Sequence, residues 1–246
     1  MSEHIIIIKN LIKQYGKGSN GKEIIKGLNM QLARGDIFGL VGRNGAGKTT
    51  LLKCITGIVL PNSGSIELFG ESNPKKLHIS RAKIGGIIER PPIDEELSAW
   101  DNLKLYAIRM GLSNERIREV LETVDLTRHG DAALKKERVK TFSLGMKQRL
   151  GIAIALLGKP ELMILDEPLN GLDPEGIMWF RKMVLDLNKQ GVSFIISSHL
   201  LRELDEVATC YGIMSGGQII GNVTADKLHK SGETFEDYYK RIVGIN

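Results

Sequence analysis

Cysteine is scarce. The 246 residues hold two, Cys54 and Cys210, both in apolar surroundings with neither a CxxC pair nor a cysteine–histidine cluster. That leaves no basis for a disulfide framework or a zinc module, and both read as small core residues of a protein kept in a reducing compartment. Long apolar runs are missing too. Near the start the longest is Ile5–Ile8, far short of the roughly 20 residues that span a bilayer, and no leader pattern precedes it. A protein without a membrane anchor of its own is expected. Repeats and low-complexity tracts are absent. The net charge of +5 is scattered among acids, which alone decides nothing; no nucleic-acid partner is expected, because no basic RNA-binding linker is visible. With 42% hydrophobic and 26% charged residues, the composition is that of a globular chain able to bury one sizeable core.

The pattern along the chain alternates strands and helices. His4 to Lys9 and Glu23 to Leu32 read as a hairpin across the glycine-rich Gly16 to Gly21 turn. Asp36 to Val41 is a short apolar strand, followed by a glycine loop and a helix from about Thr49 to Gly57. Ser63 to Phe69 and Ile84 to Ile88 are further strands, the second stopped by Pro91-Pro92. From Glu89 to Gly158 the period is helical: Ile117, Val120, Leu121 and Val124 share one face, as do Trp100, Leu103, Ala107 and Met110. Ser98 with Asp101 resembles a capping box. Strands return at Glu161 to Leu165 and Val192 to Ile196, with a helix from Pro174 to Gly191 between them, which predicts a right-handed parallel unit. Short β segments follow over Tyr211 to Val223, then a small amphipathic helix from Thr234 to Val243.

The expected fold is therefore α/β: a P-loop core with a mainly parallel sheet, an N-terminal antiparallel β subdomain and an inserted helical subdomain. As one domain over 1–246, the core would take 1–88 and 159–224, the helices 89–158, and a short tail 225–246.

The glycine loop carries chemistry. Gly42-Arg43-Asn44-Gly45-Ala46-Gly47-Lys48-Thr49-Thr50 matches GxxxxGK[ST] between a strand and a helix. Its glycines let backbone amides converge on phosphate oxygens, Lys48 adds a positive charge, Thr49 offers a hydroxyl to magnesium, and the helix N-terminus faces the anion. The apolar run Leu162 to Leu165 then ends in Asp166-Glu167. Two carboxylates closing a buried strand call for a cation or a proton: Asp166 for magnesium, Glu167 as base for an attacking water.

Phe142-Ser143-Leu144-Gly145-Met146-Lys147-Gln148-Arg149 is similar to the signature sequence of ABC-transporter ATPase subunits, with Leu and Met at its second and fourth positions. Together with Gly42 to Thr50, Asp166-Glu167, Leu172-Asp173 and His199 in that order, the resemblance covers almost the whole chain. It implies ATP and magnesium as ligands, and ATP hydrolysis coupled to transport through a separate integral-membrane permease. It also implies a second ATPase subunit, identical in the simplest case, and a place on the inner face of the cell membrane. Ser143, Gly145 and Gln148 would meet the ATP held by the other subunit. Asp173 would lie near the junction, His199 would contact the γ-phosphate and attacking water, and Tyr15 would stack on adenine.

One position departs from the family. Where a glutamine normally ends the strand Ile84 to Ile88 and reaches magnesium, this chain has Glu89. An ionised carboxylate ligates a metal more strongly than an amide but donates no hydrogen bond to water. Glu89, with Pro91-Pro92 and Leu97 to Leu103, resembles subunits of bacitracin-resistance and lantibiotic-immunity transporters, which implies a peptide antibiotic as cargo. A soluble ABC ATPase without a permease is the alternative; a P-loop kinase or GTPase does not fit the signature segment or the lack of Asn-Lys-x-Asp.

Overall fold

Residues 3–16 and 21–244 are described by the computed structural model. The chain begins with β1 (His4–Tyr15) and β2 (Lys22–Ala33), an antiparallel pair longer than the sequence pattern predicts. The turn expected between them lies largely outside the described residues. After β3 (Ile37–Val41) and α1 (Lys48–Thr56), β4 (Ser63–Leu68) joins β1, giving a three-stranded antiparallel sheet ordered β2-β1-β4.

The second sheet is built from later segments. After α2 (Leu77–Arg81) come β5 (Ile84–Ile87) and the helices α3 (Ala99–Arg109), α4 (Asn114–Thr123), α5 (Asp131–Lys136) and α6 (Leu144–Leu156). The chain then returns as β6 (Leu162–Asp166), α7 (Pro174–Lys189), β7 (Ser193–Ser198), α8 (Leu201–Asp205), β8 (Cys210–Ser215) and β9 (Gln218–Thr224). The order is β5-β6-β7-β3-β8-β9, parallel except for the β8–β9 hairpin.

Strands β3, β6 and β7 are buried along their whole length, which is why they read as unbroken apolar runs rather than as alternation. The period of two still sorts their side chains. Phe38, Leu40, Leu162, Ile164 and Ile195 face the core beneath the antiparallel sheet and α1. Ile37, Val41, Met163, Leu165, Phe194 and Ile196 face the core shared with the helices. The six-stranded sheet is thus the middle layer.

Within the helical part, Ile117, Val120, Leu121 and Val124 are all buried as their spacing predicts. Met110 is not: placed on the inner face of α3 by periodicity, it is 53% exposed. It occupies the C-cap position, and Gly111 at φ 67 turns the chain away there, so the helical period no longer applies. Ser98 caps α3, accepting from the Asp101 amide at 3.0 Å and donating to its carboxylate at 2.7 Å. The segment expected to be a tail with one helix holds two, α9 (Ala225–Ser231) and α10 (Phe235–Val243). Phe235 stacks on Tyr211 of β8 at 3.9 Å. The Tyr211 hydroxyl donates to Asp205 at 2.5 Å, and burial together with that carboxylate pushes its pKa up.

Candidate functional site

Strands β6, β7 and β3 lie side by side in the sheet, and their carboxyl ends open on one crevice, the place where ligands bind in open parallel sheets. From β3 the chain passes through Gly42 to Gly47 into α1. A Cβ on Gly42 would come within 2.3 Å of the Met214 carbonyl, and Gly47 sits at φ 106. Neither position accommodates a side chain without strain. Gly47 is the N-cap of α1 and gives it no side-chain cap, so the first amides of the helix point to the crevice, where an anion satisfies them. Arg43 to Thr50, with Lys22, Ile24 and Glu167, line a cavity of about 340 Å³.

Lys48 is 6% exposed. Its ammonium donates to the Gly42 carbonyl at 2.7 Å and stands 3.3 Å from Glu167 Oε1. A buried lysine wrapped by its own loop presents a fixed charge at the mouth of that cavity. Thr49 donates from Oγ1 to Asp166 Oδ2 at 2.7 Å. Ser197, at the end of β7, donates to Asp166 Oδ1 at 2.5 Å and accepts from the Glu167 amide at 2.9 Å. Glu167, with φ 50, extends its other carboxylate oxygen to His199 Nδ1 at 2.8 Å. A carboxylate held between an ammonium and an imidazole is placed to take a proton from a water, and the imidazole to orient it.

The oxygen donors Thr49 and Asp166 suit a hard divalent cation. Among the described residues no group of three or more His, Cys, Asp or Glu side chains forms a metal cage. One hydroxyl and one carboxylate match magnesium, which keeps waters and substrate phosphates in its shell.

Residues 25–170 match the family model described as ABC transporter. The chain belongs to the ABC transporter ATP-binding subunits. It is 38% identical over 238 residues to the bacitracin transport ATP-binding protein BcrA of Enterococcus faecalis, covering 96% of this chain and 74% of that protein. To the lantibiotic transport ATP-binding protein SrtF of Streptococcus pyogenes it is 41% identical over 232 residues, 94% of each. A solved ATP-binding subunit of an ABC transporter superposes with a TM-score of 0.83 at 27% identity, covering 97% of this chain and 99% of that one. This ABC subunit binds and hydrolyses ATP.

The remaining predicted residues of the ABC subunit fall in three places. Ser143 caps α6, accepting from the Met146 amide at 3.2 Å, and Leu144 beside it is 57% exposed. Gly145 has Leu172 as its neighbour, since an added Cβ would lie 3.7 Å from Leu172 Cδ2. Asp173 caps α7 through the Gly176 amide at 2.7 Å. Among the described residues, Ser143 and Gly145 do not line the cavity around Lys48. Gln148 lines a second cavity, about 780 Å³, together with Glu89, Glu95, Asp166, Glu167 and Asn170. Tyr15 ends β1 opposite Lys22, 42% exposed, with Lys13 Nζ 5.1 Å from its ring centre. Glu89 pairs with Lys53 at 2.6 Å rather than with Thr49 or Asp166.

Sequence reasoning passed over Ser197 and Lys53. A signal for Ser197 was present: two serines closing the apolar run Val192 to Ile196 are buried polar groups that need partners. Lys53 gave none, being one exposed-type residue on a helix.

Proposed function

We propose that this ABC subunit powers the export of a membrane-active peptide antibiotic through a separate integral-membrane permease, for self-protection or resistance. Two copies would close on two ATP molecules. Its parts would be one ATPase domain, with core segments 1–88 and 159–224, helices over 89–158, and a short tail 225–246. The observation that carries the two-copy reading is that Ser143 and Gly145, at the N-terminus of α6, are not at the cavity around Lys48 of their own chain. Ser143 caps only the Met146 amide; the other first-turn amides of α6 are an anion contact, and a second copy would bring a phosphate to them.

In that assembly the amides of Asn44 to Thr50 and the Lys48 ammonium hold the triphosphate, with Tyr15 beside the base. Thr49 and Asp166 would hold magnesium, with Glu89 within the neighbouring cavity; the cation would offset phosphate charge. Glu167 takes the proton of the attacking water, His199 orients Glu167, and Asp173 lies toward the junction. The Lys48 charge and the α1 amides stabilise negative charge as it grows on the phosphate.

Permease docking is supported by the groove of about 290 Å³ lined by Thr56, Ile58, Arg81, Ile84, Ile88, Arg90 and Pro92, where Ile58 is 62% exposed. Among the described residues no helix is long and apolar enough to cross a membrane, and a permease would hold the chain at the inner membrane face. The names of BcrA and SrtF support a peptide cargo. Affinity purification of the tagged chain from detergent-treated membranes should recover a multi-span membrane protein in stoichiometric amount, with ATPase activity raised by bacitracin or a lantibiotic. Recovery of the chain alone with undiminished ATPase would instead indicate a soluble ATPase.

A further inference from the structure

Glu89 sits in an unusual piece of backbone. Its φ is 65, and the Arg90 amide donates to the Ile88 carbonyl at 2.8 Å, so the chain reverses within three residues. A non-glycine residue in such a turn is strained, and strain of this kind collects at working sites. The turn aims the Glu89 side chain at α1, where Lys53 Nζ meets Oε1 at 2.6 Å. Lys53 follows Thr49 by one helical turn and shares its face of α1. Thr49 is the residue whose hydroxyl is bonded to Asp166. The Glu89 side chain also borders the cavity into which Asp166 and Glu167 open. One carboxylate is thus paired with a lysine at the edge of the cavity that Asp166 lines.

We propose that Lys53 is a positioning residue for Glu89: it holds the carboxylate away from the Thr49–Asp166 pair, and divalent-cation binding at that pair competes with the ion pair. This rests on the nucleotide-site reading above. An amide at position 89 forms no ion pair with Lys53, so the competition exists because the residue is glutamate. The pair is partly open to water, with side-chain exposures of 22% and 60%. Exposed pairs are weak, so the lysine delays the cation rather than excluding it, and its removal changes affinity by about threefold rather than by orders of magnitude.

The test is Mn²⁺ affinity of the full chain saturated with ATP under conditions too cold for turnover, read from the electron paramagnetic resonance signal of free Mn²⁺. Lys53→Met should tighten Mn²⁺ binding by about threefold, Lys53→Arg should keep the wild-type value, and Lys53→Met in a Glu89→Gln background should change nothing. A thermal melt of each variant establishes that it is folded. An equal shift in the wild-type and Glu89→Gln backgrounds, or no shift in either, overturns the inference. Failure of the wild-type chain to bind ATP with Mn²⁺ present would overturn the nucleotide reading itself, a different failure from the same titration.

Discussion

The hydroxyl of Ser197 donates to Asp166 Oδ1 at 2.5 Å while accepting from the Glu167 amide at 2.9 Å. The end of β7 thereby fixes both carboxylates at the end of β6: Asp166 by a direct bond, Glu167 through its backbone. With Thr49 on its other oxygen, Asp166 has one partner for the nucleotide loop and one for the sheet. Ser197→Ala should cost about 1–2 kcal/mol of stability, because it leaves the buried Asp166 Oδ1 short of a donor, while the Glu167 amide keeps the Ser197 carbonyl at 3.1 Å. Urea unfolding of the wild type and variant measures this, and the variant should also show weakened divalent-cation dependence of ATP hydrolysis.

Glu89→Gln should keep ATP affinity and change the metal dependence of hydrolysis, because it removes a carboxylate from the cavity that Asp166 also lines and the partner of Lys53. Initial rates over a magnesium series check this. An unchanged profile would mean that Glu89 takes no part in turnover.

Arg149, in the signature helix α6, is 4% exposed. It donates to the Val124 carbonyl at 2.9 Å and to Asp125 at 3.2 Å, and its guanidinium lies 3.9 Å over the Trp179 ring. Burial lowers its pKa from the usual arginine value. A lysine keeps the charge but loses the flat stacking surface and the forked donors. Arg149→Lys should therefore lose about 1–2 kcal/mol in chemical denaturation.

Glu161 links three segments, accepting from Arg34 at 2.7 Å and from Lys83 at 3.0 Å. The Arg34 bond first, then that from Lys83, holds its carboxyl below the ordinary glutamate value. A depressed folded value means that the contribution is present above the unfolded value of about 4.3 and is lost as pH falls through the folded one. The Tm of Glu161→Gln should lie below that of the wild type near neutral pH, and the gap should close below about pH 4. Since the side chain is 36% exposed, the gap should correspond to less than about 1 kcal/mol.

How much of this was legible depends on what each residue's signal consists of. The parallel strands announce themselves because burial on both faces demands an unbroken apolar run, and Leu162 to Leu165 ending in Asp166-Glu167 is such a run. The glycine loop is legible because backbone approach to phosphate restricts residue type at fixed spacing. The short helices α2 and α8 were not expected, since five residues give too few turns for a period to be read. The second helix beyond Thr224 was missed for the same reason. Tertiary pairings leave the weakest trace: nothing in Lys53 or Ser197 as letters names Glu89 or Asp166. Asp173 carried a local signal, a cap before Pro174, and in the folded chain its carboxylate caps α7.

The central claim is that each ATP site is completed by a second copy of the chain. Sedimentation velocity of Glu167→Gln with and without ATP tests it most directly. Loss of the base should slow hydrolysis by at least about a hundredfold while leaving the phosphate contacts of Lys48 and the α1 amides in place. The account predicts a dimer with ATP and a monomer without, and a monomer in both conditions when Ser143→Arg is added. A Glu167→Gln chain that binds ATP and still sediments as a monomer at saturating nucleotide would contradict it.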